Sequence, residues 1–523
     1  MPMPSVGIRS LAVSFPPTVR TNQYWLDQFP GLVSPIQRSA RLPQPLELPD
    51  NPSGLEMWLQ AVTPYLADPF RGSVERRVLA EQETSQALEF QAAQAALQAA
   101  DLPSEQIDLA IVASLFPDAV GPGGAADLAQ SLGLGCPAWN LESTCASALV
   151  ALQTAQSLIQ TGVYQNILII VSHIGSRSVN EQDTLAWAMG DGAGALVVGP
   201  VAASQGILGT QVLSTATTVG AYVHEWGMDA QGQPRIQTRT GENVSRLAET
   251  AADTLHQCCH AAVAASGVQL EDIRLFAINT PTAWYAQVFA QALGVEIDRI
   301  TNLYPHYANI GPVFPIANLD HAARTGKIQE NDLVLIYANG AGATAAATVM
   351  RWSKVALGAG SGQGISQEYP AIPSSSTASA SLASASLASA PTASAPTVST
   401  SIASTDRADR VAAILSLSPA DLTSAIVTYL IEWLAQSRQL APDQLNGTIL
   451  LSTLLDSLMA IVLRSQLETD FQVRVPMEKF FGEQTIGHLS QYLTDQLAIM
   501  ELISDSAIQP ELSQSNDREV MIL

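Results

Sequence analysis

The same pattern occurs twice in this chain, 166 residues apart, and that constrains its fold more than any other feature. Ala95-Ala96-Leu97 through Ile107-Asp108-Leu109-Ala110-Ile111-Val112 runs parallel to Ala261-Ala262-Val263 through Ile273-Arg274-Leu275-Phe276-Ala277-Ile278. Each copy reads as a helix, an acidic turn and an apolar strand. The same offset lays residues 167–171 on 333–337. A glycine phrase follows each: Asp191-Gly192-Ala193-Gly194-Ala195 and Asn339-Gly340-Ala341-Gly342-Ala343. Two matches at one offset point to a duplicated α/β unit. The strands are unbroken apolar runs, as in sheets covered by helices on both faces. Two sheets should therefore pack around shared helices, related by a pseudo-twofold axis. Functional residues are expected beyond the carboxyl ends of strands.

The duplication does not extend over the whole chain. From about Gly358 to Thr405 the sequence becomes dominated by Ala, Ser, Thr and Pro with almost no charge, which sets a linker at 356–407. It includes Ala380-Ser381-Leu382-Ala383-Ser384 followed by Ala385-Ser386-Leu387-Ala388-Ser389. Such a segment buries too little surface to offset chain entropy, so a disordered linker is expected. It divides a large unit, 1–355 with halves at about 1–200 and 201–355, from a small one at 408–500. A flexible tail is expected at 501–523. Acidic residues outnumber basic ones 47 to 24, which argues against nucleic acid and anionic membrane as partners. No apolar run is long enough for a transmembrane helix. Met1-Pro2-Met3-Pro4 does not begin a signal peptide. The four cysteines, Cys136, Cys145, Cys258 and Cys259, form neither a disulfide scaffold nor a metal site. A reducing, cytoplasmic setting is the expectation.

Cys145 lies in Leu141-Glu142-Ser143-Thr144-Cys145-Ala146-Ser147, between a short strand at 137–141 and a helical pattern at 146–161. At a helix N-terminus the free N–H groups and the dipole favour thiolate, so a lowered pKa is expected. Position alone leaves two readings, an activated nucleophile or an inert packing thiol. Cys136, Cys258 and Cys259 read as packing residues.

Thr144-Cys145-Ala146-Ser147, Met189-Gly190-Asp191-Gly192-Ala193-Gly194-Ala195, Tyr307-Ala308-Asn309-Ile310-Gly311 and Asn339-Gly340-Ala341-Gly342 occur in the order found in the thiolase superfamily. Residues 1–355 most resemble its ketoacyl-ACP synthase III family. Val74-Glu75-Arg76-Arg77 and Glu83-Thr84-Ser85 add to the likeness, and 35–56 reads as an insertion. The resemblance implies a thiolase-like α-β-α-β-α fold, a homodimer and thioester chemistry. It makes Cys145 the acyl-accepting nucleophile and Asn309 a donor to the substrate carbonyl. The N–H groups of Cys145 and Ala341 become the oxyanion hole. Trp58 and Arg71 fall near the family's CoA-adenine contacts, and Asp191 reads as structural. The family's catalytic histidine falls on Asn279, in Ile278-Asn279-Thr280-Pro281-Thr282. Asn donates a hydrogen bond but cannot shuttle protons near neutral pH. Simple acyl transfer between thiols asks less acid–base work than decarboxylative condensation. His306 is an alternative acid/base or a packing histidine, and His173 is a similar case.

The small unit reads as three long helices and one short one, at about 421–436, 456–467, 477–481 and 485–497. Asp456-Ser457-Leu458, opening the second helix, resembles acyl and peptidyl carrier proteins, with Leu455 where glycine is usual. That resemblance implies 4′-phosphopantetheine on Ser457, added by a phosphopantetheinyl transferase; the plainer alternative is a helix N-cap. A tether of about 50 residues reaches on the order of 40 Å and raises the carrier's effective concentration. The expectation is an acyltransferase that loads Cys145 from acyl-CoA or an acyl carrier and passes the group on, as in starter loading for fatty-acid or polyketide synthase modules. Decarboxylative synthase III condensation, hydroxymethylglutaryl synthase-like β-branching and a non-catalytic scaffold are the alternatives.

Overall fold

The computed structural model describes residues 4–33, 52–118, 121, 123–228, 234–241, 243–359, 410–438, 440–455, 457–473, 475–480 and 483–506. The chain forms two compact units, Met1–Ser384 and Ala385–Leu523.

The first unit holds two sheets with one plan. One sheet has the order Ala356–Leu357, Val6–Ser14, Asp191–Pro200, Ile167–Ile174, Leu109–Leu115, Ala138–Asn140. The other runs Gly206–Ser214, Thr344–Arg351, Leu333–Asn339, Ile273–Ile278. In both, the two central-repeat strands pair in parallel, and the next two neighbours pair antiparallel. The four-strand core is thus the duplicated element, and the first half adds one short strand at each edge. Residues 167–171 and 333–338 are buried, which matches their unbroken apolar sequence.

Helices complete the layers. Ser147–Gln160 and Phe314–Arg324 each touch strands of both sheets, so they form the shared middle layer. Ser85–Ala99 covers the first sheet and Val244–Ser266 the second. Thr84 caps the former by accepting from the Ala87 N–H at 3.1 Å, satisfying one of the free donors of the first turn. Its alanines 92, 93 and 96 are fully buried, and their small side chains allow close approach to the sheet. Gly267, with φ of 70°, ends the other, a left-handed cap that favours glycine. Cys258 and Cys259 are buried within that helix.

Two boundaries differ from expectation. Ala356–Leu357 pairs with Val6–Ser14, and Gly358 N–H donates to Leu11 O at 2.8 Å. The linker therefore begins later than 356, because these residues satisfy the edge of the first strand; residues 360–409 lie outside the described residues. In the small unit, Ile486–Ser506 continues as helix into the expected tail. With Pro419–Arg438, Ser457–Phe471 and the short Met477–Phe480 turn it makes an all-helical unit. Its core contains Ile426, Leu430, Leu463, Leu467, Phe480 and Leu489, all at 0% exposure. A hairpin of Tyr222–Met228 and Pro234–Thr240 was not foreseen. No helix among the described residues is long and apolar enough to cross a membrane.

Candidate active site

Cys145 sits in a single 3-10 turn, Thr144–Ala146, that leads into the helix Ser147–Gln160. Thr144, just before it, has a φ of 48°. Ala308, just before Asn309, has a φ of 53° and a ψ of −154°. Both are conformations that L-residues with a side chain rarely adopt, at a cost on the order of 1–3 kcal/mol each. The surrounding structure holds both, and each aims the residue that follows.

The neighbouring backbone explains why the turn is held. A Cβ at Gly340 would lie 2.5 Å from Ser143 O and 2.2 Å from Thr144 Oγ1, so the 339–343 loop lies directly on the cysteine turn. Ser143 Oγ and Thr344 Oγ1 also hydrogen-bond across this contact. In the loop, Gly340 N–H donates to Thr344 O (2.7 Å), Ala343 N–H to Gly340 O (3.2 Å) and Gly342 N–H to Thr218 Oγ1 (2.8 Å). Beside the cysteine, Thr144 N–H goes to Glu142 Oε1 (2.5 Å) and Ala146 N–H to Ser143 O (3.1 Å). Among the described residues, the amides of Ala341 and Cys145 donate to no backbone carbonyl. These are the two N–H groups expected at the oxyanion hole.

Gly311 joins the remaining pieces. Its N–H donates to Asn309 Oδ1 at 2.9 Å, which fixes the Asn309 amide and leaves its NH2 to donate elsewhere. Its carbonyl accepts from Asn279 Nδ2 at 3.2 Å. Its turn, Gly311–Val313, packs against the cysteine turn. A Cβ on Gly311 would meet the His173 ring at 2.6 Å, and its φ of 51° is left-handed, so glycine is required there. Cys145, Asn309, Asn279 and Ala341 therefore gather around one junction.

One expectation is corrected. The Cys145 thiol is pushed up to about 12, first by burial and then by the Glu142 carboxylate. Its own backbone N–H works in the other direction and loses. The N-terminal dipole is a surface-scale effect of about 1 kcal/mol, and desolvation outweighs it here. The resting sulfur is a thiol.

Other expected residues lie elsewhere or do other work. His306 Nδ1 sits 3.4 Å from Glu75 Oε1, paired with the Glu75–Arg77 strand. Trp58 is 9% exposed and meets Trp284 and Tyr285 edge-on at 6.0 Å, so it offers no open face to an adenine. Arg71 Nη1 donates to Tyr65 O, Leu66 O and Asp68 O within its own loop. The pair expected at the CoA adenine braces the fold instead. Arg76, from the second motif, is buried and donates to Ser73 Oγ (2.6 Å) and Trp187 O (2.7 Å). Asp191 is structural, accepting from Ser176 N–H (2.9 Å), Ser176 Oγ (2.6 Å) and Leu79 N–H (2.8 Å). His173 Nδ1 is anchored 2.8 Å from Gly190 O, and burial lowers its pKa to about 4, so it is neutral at pH 7.

Sequence reasoning missed Tyr285 and Tyr337. Both are buried, and the Tyr285 hydroxyl hydrogen-bonds both Tyr337 and Asn339. No motif marks them; only the structure brings them to Asn339. In the small unit Ser457 is the first residue of its helix, and Asp456 lies outside the described residues. Leu454 and Leu455, just before it, are buried and anchor that helix end. A helix N-terminus suits a phosphodiester, so the position fits a phosphopantetheine arm.

Comparison with known proteins agrees with this geometry. Residues 139–216 match the model of 3-oxoacyl-[acyl-carrier-protein (ACP)] synthase III, and 263–352 match its C-terminal model. Residues 440–493 match the phosphopantetheine attachment site. The β-ketoacyl-[acyl-carrier-protein] synthase III of Caldanaerobacter subterraneus is 30% identical over 302 residues, 54% of this chain and 88% of that one. The Vibrio vulnificus synthase III 1 is 29% identical over 326 residues, 61% of this chain and 96% of that one. The 3-oxoacyl-[acyl-carrier-protein] synthase III structure from Aquifex aeolicus superposes with a TM-score of 0.52 at 25% identity, covering 66% of this chain and 100% of that one. The priming β-ketosynthase of the R1128 polyketide pathway shares the fold, with a TM-score of 0.55 at 19% identity, covering 67% and 97%. With its thiolase-like first unit and a carrier-type second unit that takes 4′-phosphopantetheine covalently, the chain belongs to the β-ketoacyl-[acyl-carrier-protein] synthase III family.

Proposed function

We propose that the first unit is a thioester acyltransferase. Cys145 takes an acyl group from acyl-CoA or an acyl carrier and passes it to a thiol on the second unit, loading a starter for fatty-acid or polyketide assembly. The observation that carries this reading is the junction at Gly311. A nucleophile, an amide donor and the N–H groups of Cys145 and Ala341 meet there, while the family's histidine position holds Asn279, which has no proton to shuttle.

The balance is simple. Cys145 Sγ attacks the thioester carbonyl carbon; a new C–S bond forms and the donor's C–S bond breaks. The Cys145 proton ends on the departing thiol, so no net acid or base is consumed. The carbonyl oxygen becomes negative in between and accepts from the N–H groups of Cys145 and Ala341. Asn309 adds a third donor. Such preorganised donors are each worth about 3–4 kcal/mol in the transition state. A phosphopantetheine arm on Ser457 supplies the accepting thiol, and the second transfer repeats the first in reverse.

Decarboxylative condensation of the synthase III type is the second reading. It needs charge and proton management that Asn279 does not provide. Intact-protein mass spectrometry on the holo chain separates the readings. Acyl-CoA donors are supplied with and without a malonyl thioester, to wild type, Cys145→Ala and Ser457→Ala. Acyl mass on the second unit that disappears in both variants supports transfer. A product two carbons longer overturns it in favour of condensation. No acyl mass on Cys145 with any donor would leave a non-catalytic carrier scaffold.

A further inference from the structure

We infer that the helix covering the second sheet carries a metal site: His256 and His260 together chelate one divalent transition-metal ion of the zinc and nickel class. This inference is independent of the acyl-transfer reading.

Both residues lie on the helix Val244–Ser266, four apart in His256-Gln257-Cys258-Cys259-His260. Residues at that spacing stand one above the other on a helix face, and both histidines are exposed. Their rings already meet, with centroids 4.3 Å apart and planes tilted by 46°. Elsewhere in the chain, His173, His224, His306 and His488 each engage a ring nitrogen with a polar partner. Among the described residues, no hydrogen bond involves the imidazole of His256 or His260. The two cysteines between them face inward. Both are 0% exposed, and Cys258 Sγ lies 3.6 Å from Gln211 O. This turn of the helix therefore offers solvent two imidazoles and no sulfur.

The ligand chemistry selects the ion. Imidazole suits Zn2+, Ni2+ and Cu2+, whereas Mg2+ and Ca2+ take oxygen ligands. With metal–nitrogen bonds of about 2.1 Å, two nitrogens on one ion lie about 3 Å apart. Rotation about the side-chain torsions reaches that spacing from the present ring contact without moving the helix. Histidines four apart on one helix face are also the pair that helical zinc sites use. Hydrolytic sites of that kind place a glutamate base directly after the first histidine. Here that residue is Gln257, which cannot take up a proton, so this site holds an ion and does not hydrolyse. Among the described residues no group of three His, Cys, Asp or Glu could hold a metal. Water therefore completes the coordination shell. An ion that spans one helical turn binds the folded chain in preference to the unfolded one and stabilises it.

The test uses the full chain, stripped of metal with EDTA and then freed of the chelator. Isothermal titration with NiCl2 should show one ion bound per chain, and titration with MgCl2 should show none. Saturating NiCl2 should raise the melting temperature. His256→Ala and His260→Ala should each weaken nickel binding by at least about tenfold, because a two-point attachment becomes a single one. Without metal both variants should melt no lower than wild type, since alanine favours helix. Ala264 is exposed one turn further on, so His256→Ala combined with Ala264→His moves the pair along the helix and should restore binding. No nickel binding by wild type overturns the inference. Binding that survives both single variants also overturns it, because the ion then sits elsewhere. Failure of the relocated pair to restore binding overturns the two-imidazole geometry.

Discussion

The two halves of the first unit share a strand plan and differ in how they treat buried polar groups. In the first half the buried Glu89, Asp191 and His173 are paired. Glu89 accepts from Ser114 Oγ and, at 2.5 Å, from Ser172 Oγ. Asp191 has three donors, and His173 leans on Gly190 O. In the second half Tyr285 hydrogen-bonds Tyr337 and Asn339, while Asn279 Oδ1 and Thr280 Oγ1 keep no partner at the strand ends among the described residues. The 166-residue offset makes the contrast direct, since His173 and Asn339 are equivalent positions. The closed half thus holds these three groups as framework, while the open half leaves Asn279 Oδ1 and Thr280 Oγ1 without a partner among the described residues. Cys145 comes from the first half, after its added edge strand Ala138–Asn140, and its turn packs against the 339–343 loop of the second half.

This contrast can be broken or sharpened by substitution. The largest effect is expected at Asn309. Asn309→Ala should slow Cys145 acylation by about 10²–10³, the usual cost of one preorganised donor, with little change in melting temperature; an unaltered rate would take the open half out of the chemistry. Next comes Glu89, whose carboxyl burial raises to about 7 from an ordinary 4.5. Between those values the folded chain keeps a proton that the unfolded chain releases. Stability therefore falls as pH rises through this window and stays reduced above it, by roughly 3 kcal/mol. Glu89→Gln should lose that dependence, so thermal unfolding of the variant should exceed wild type at pH 8 and converge with it near pH 4. Parallel curves would show that the closed half does not store this cost. The smallest effect is at Ala308, where glycine relieves the left-handed backbone. Ala308→Gly should stabilise the fold by about 1 kcal/mol in denaturant titration, and a loss of stability would refute the strain.

Much of this architecture was legible in the sequence. Unbroken apolar strands and one offset were enough for two sheets with shared helices, because both signals follow from burial on two faces. Cys145, Asn309, Asn279 and Ala341 were singled out through motifs and a family resemblance, and the Gly311 turn and the 339–343 loop lie between them. Less was legible where the outcome depends on competition between effects. The Cys145 dipole argument was sound, but the extent of burial could not be read from a string of small residues. Trp58 and Arg71 were assigned by position beside an insertion, and the structure turns one ring edge-on and spends one guanidinium on its own loop. Tyr285 and Tyr337 carry no periodic or motif signal. Their pairing with each other and with Asn339 is a tertiary contact, which no single sequence displays. The Ala356–Leu357 strand was lost because two apolar residues beside a low-complexity run look like part of it.

The protonated state of Cys145 at rest has a consequence beyond turnover. Peroxide and disulfides attack through the thiolate, so a sulfur with a pKa near 12 oxidises slowly to the sulfenic stage. The burial that raises its pKa thus also slows its oxidation.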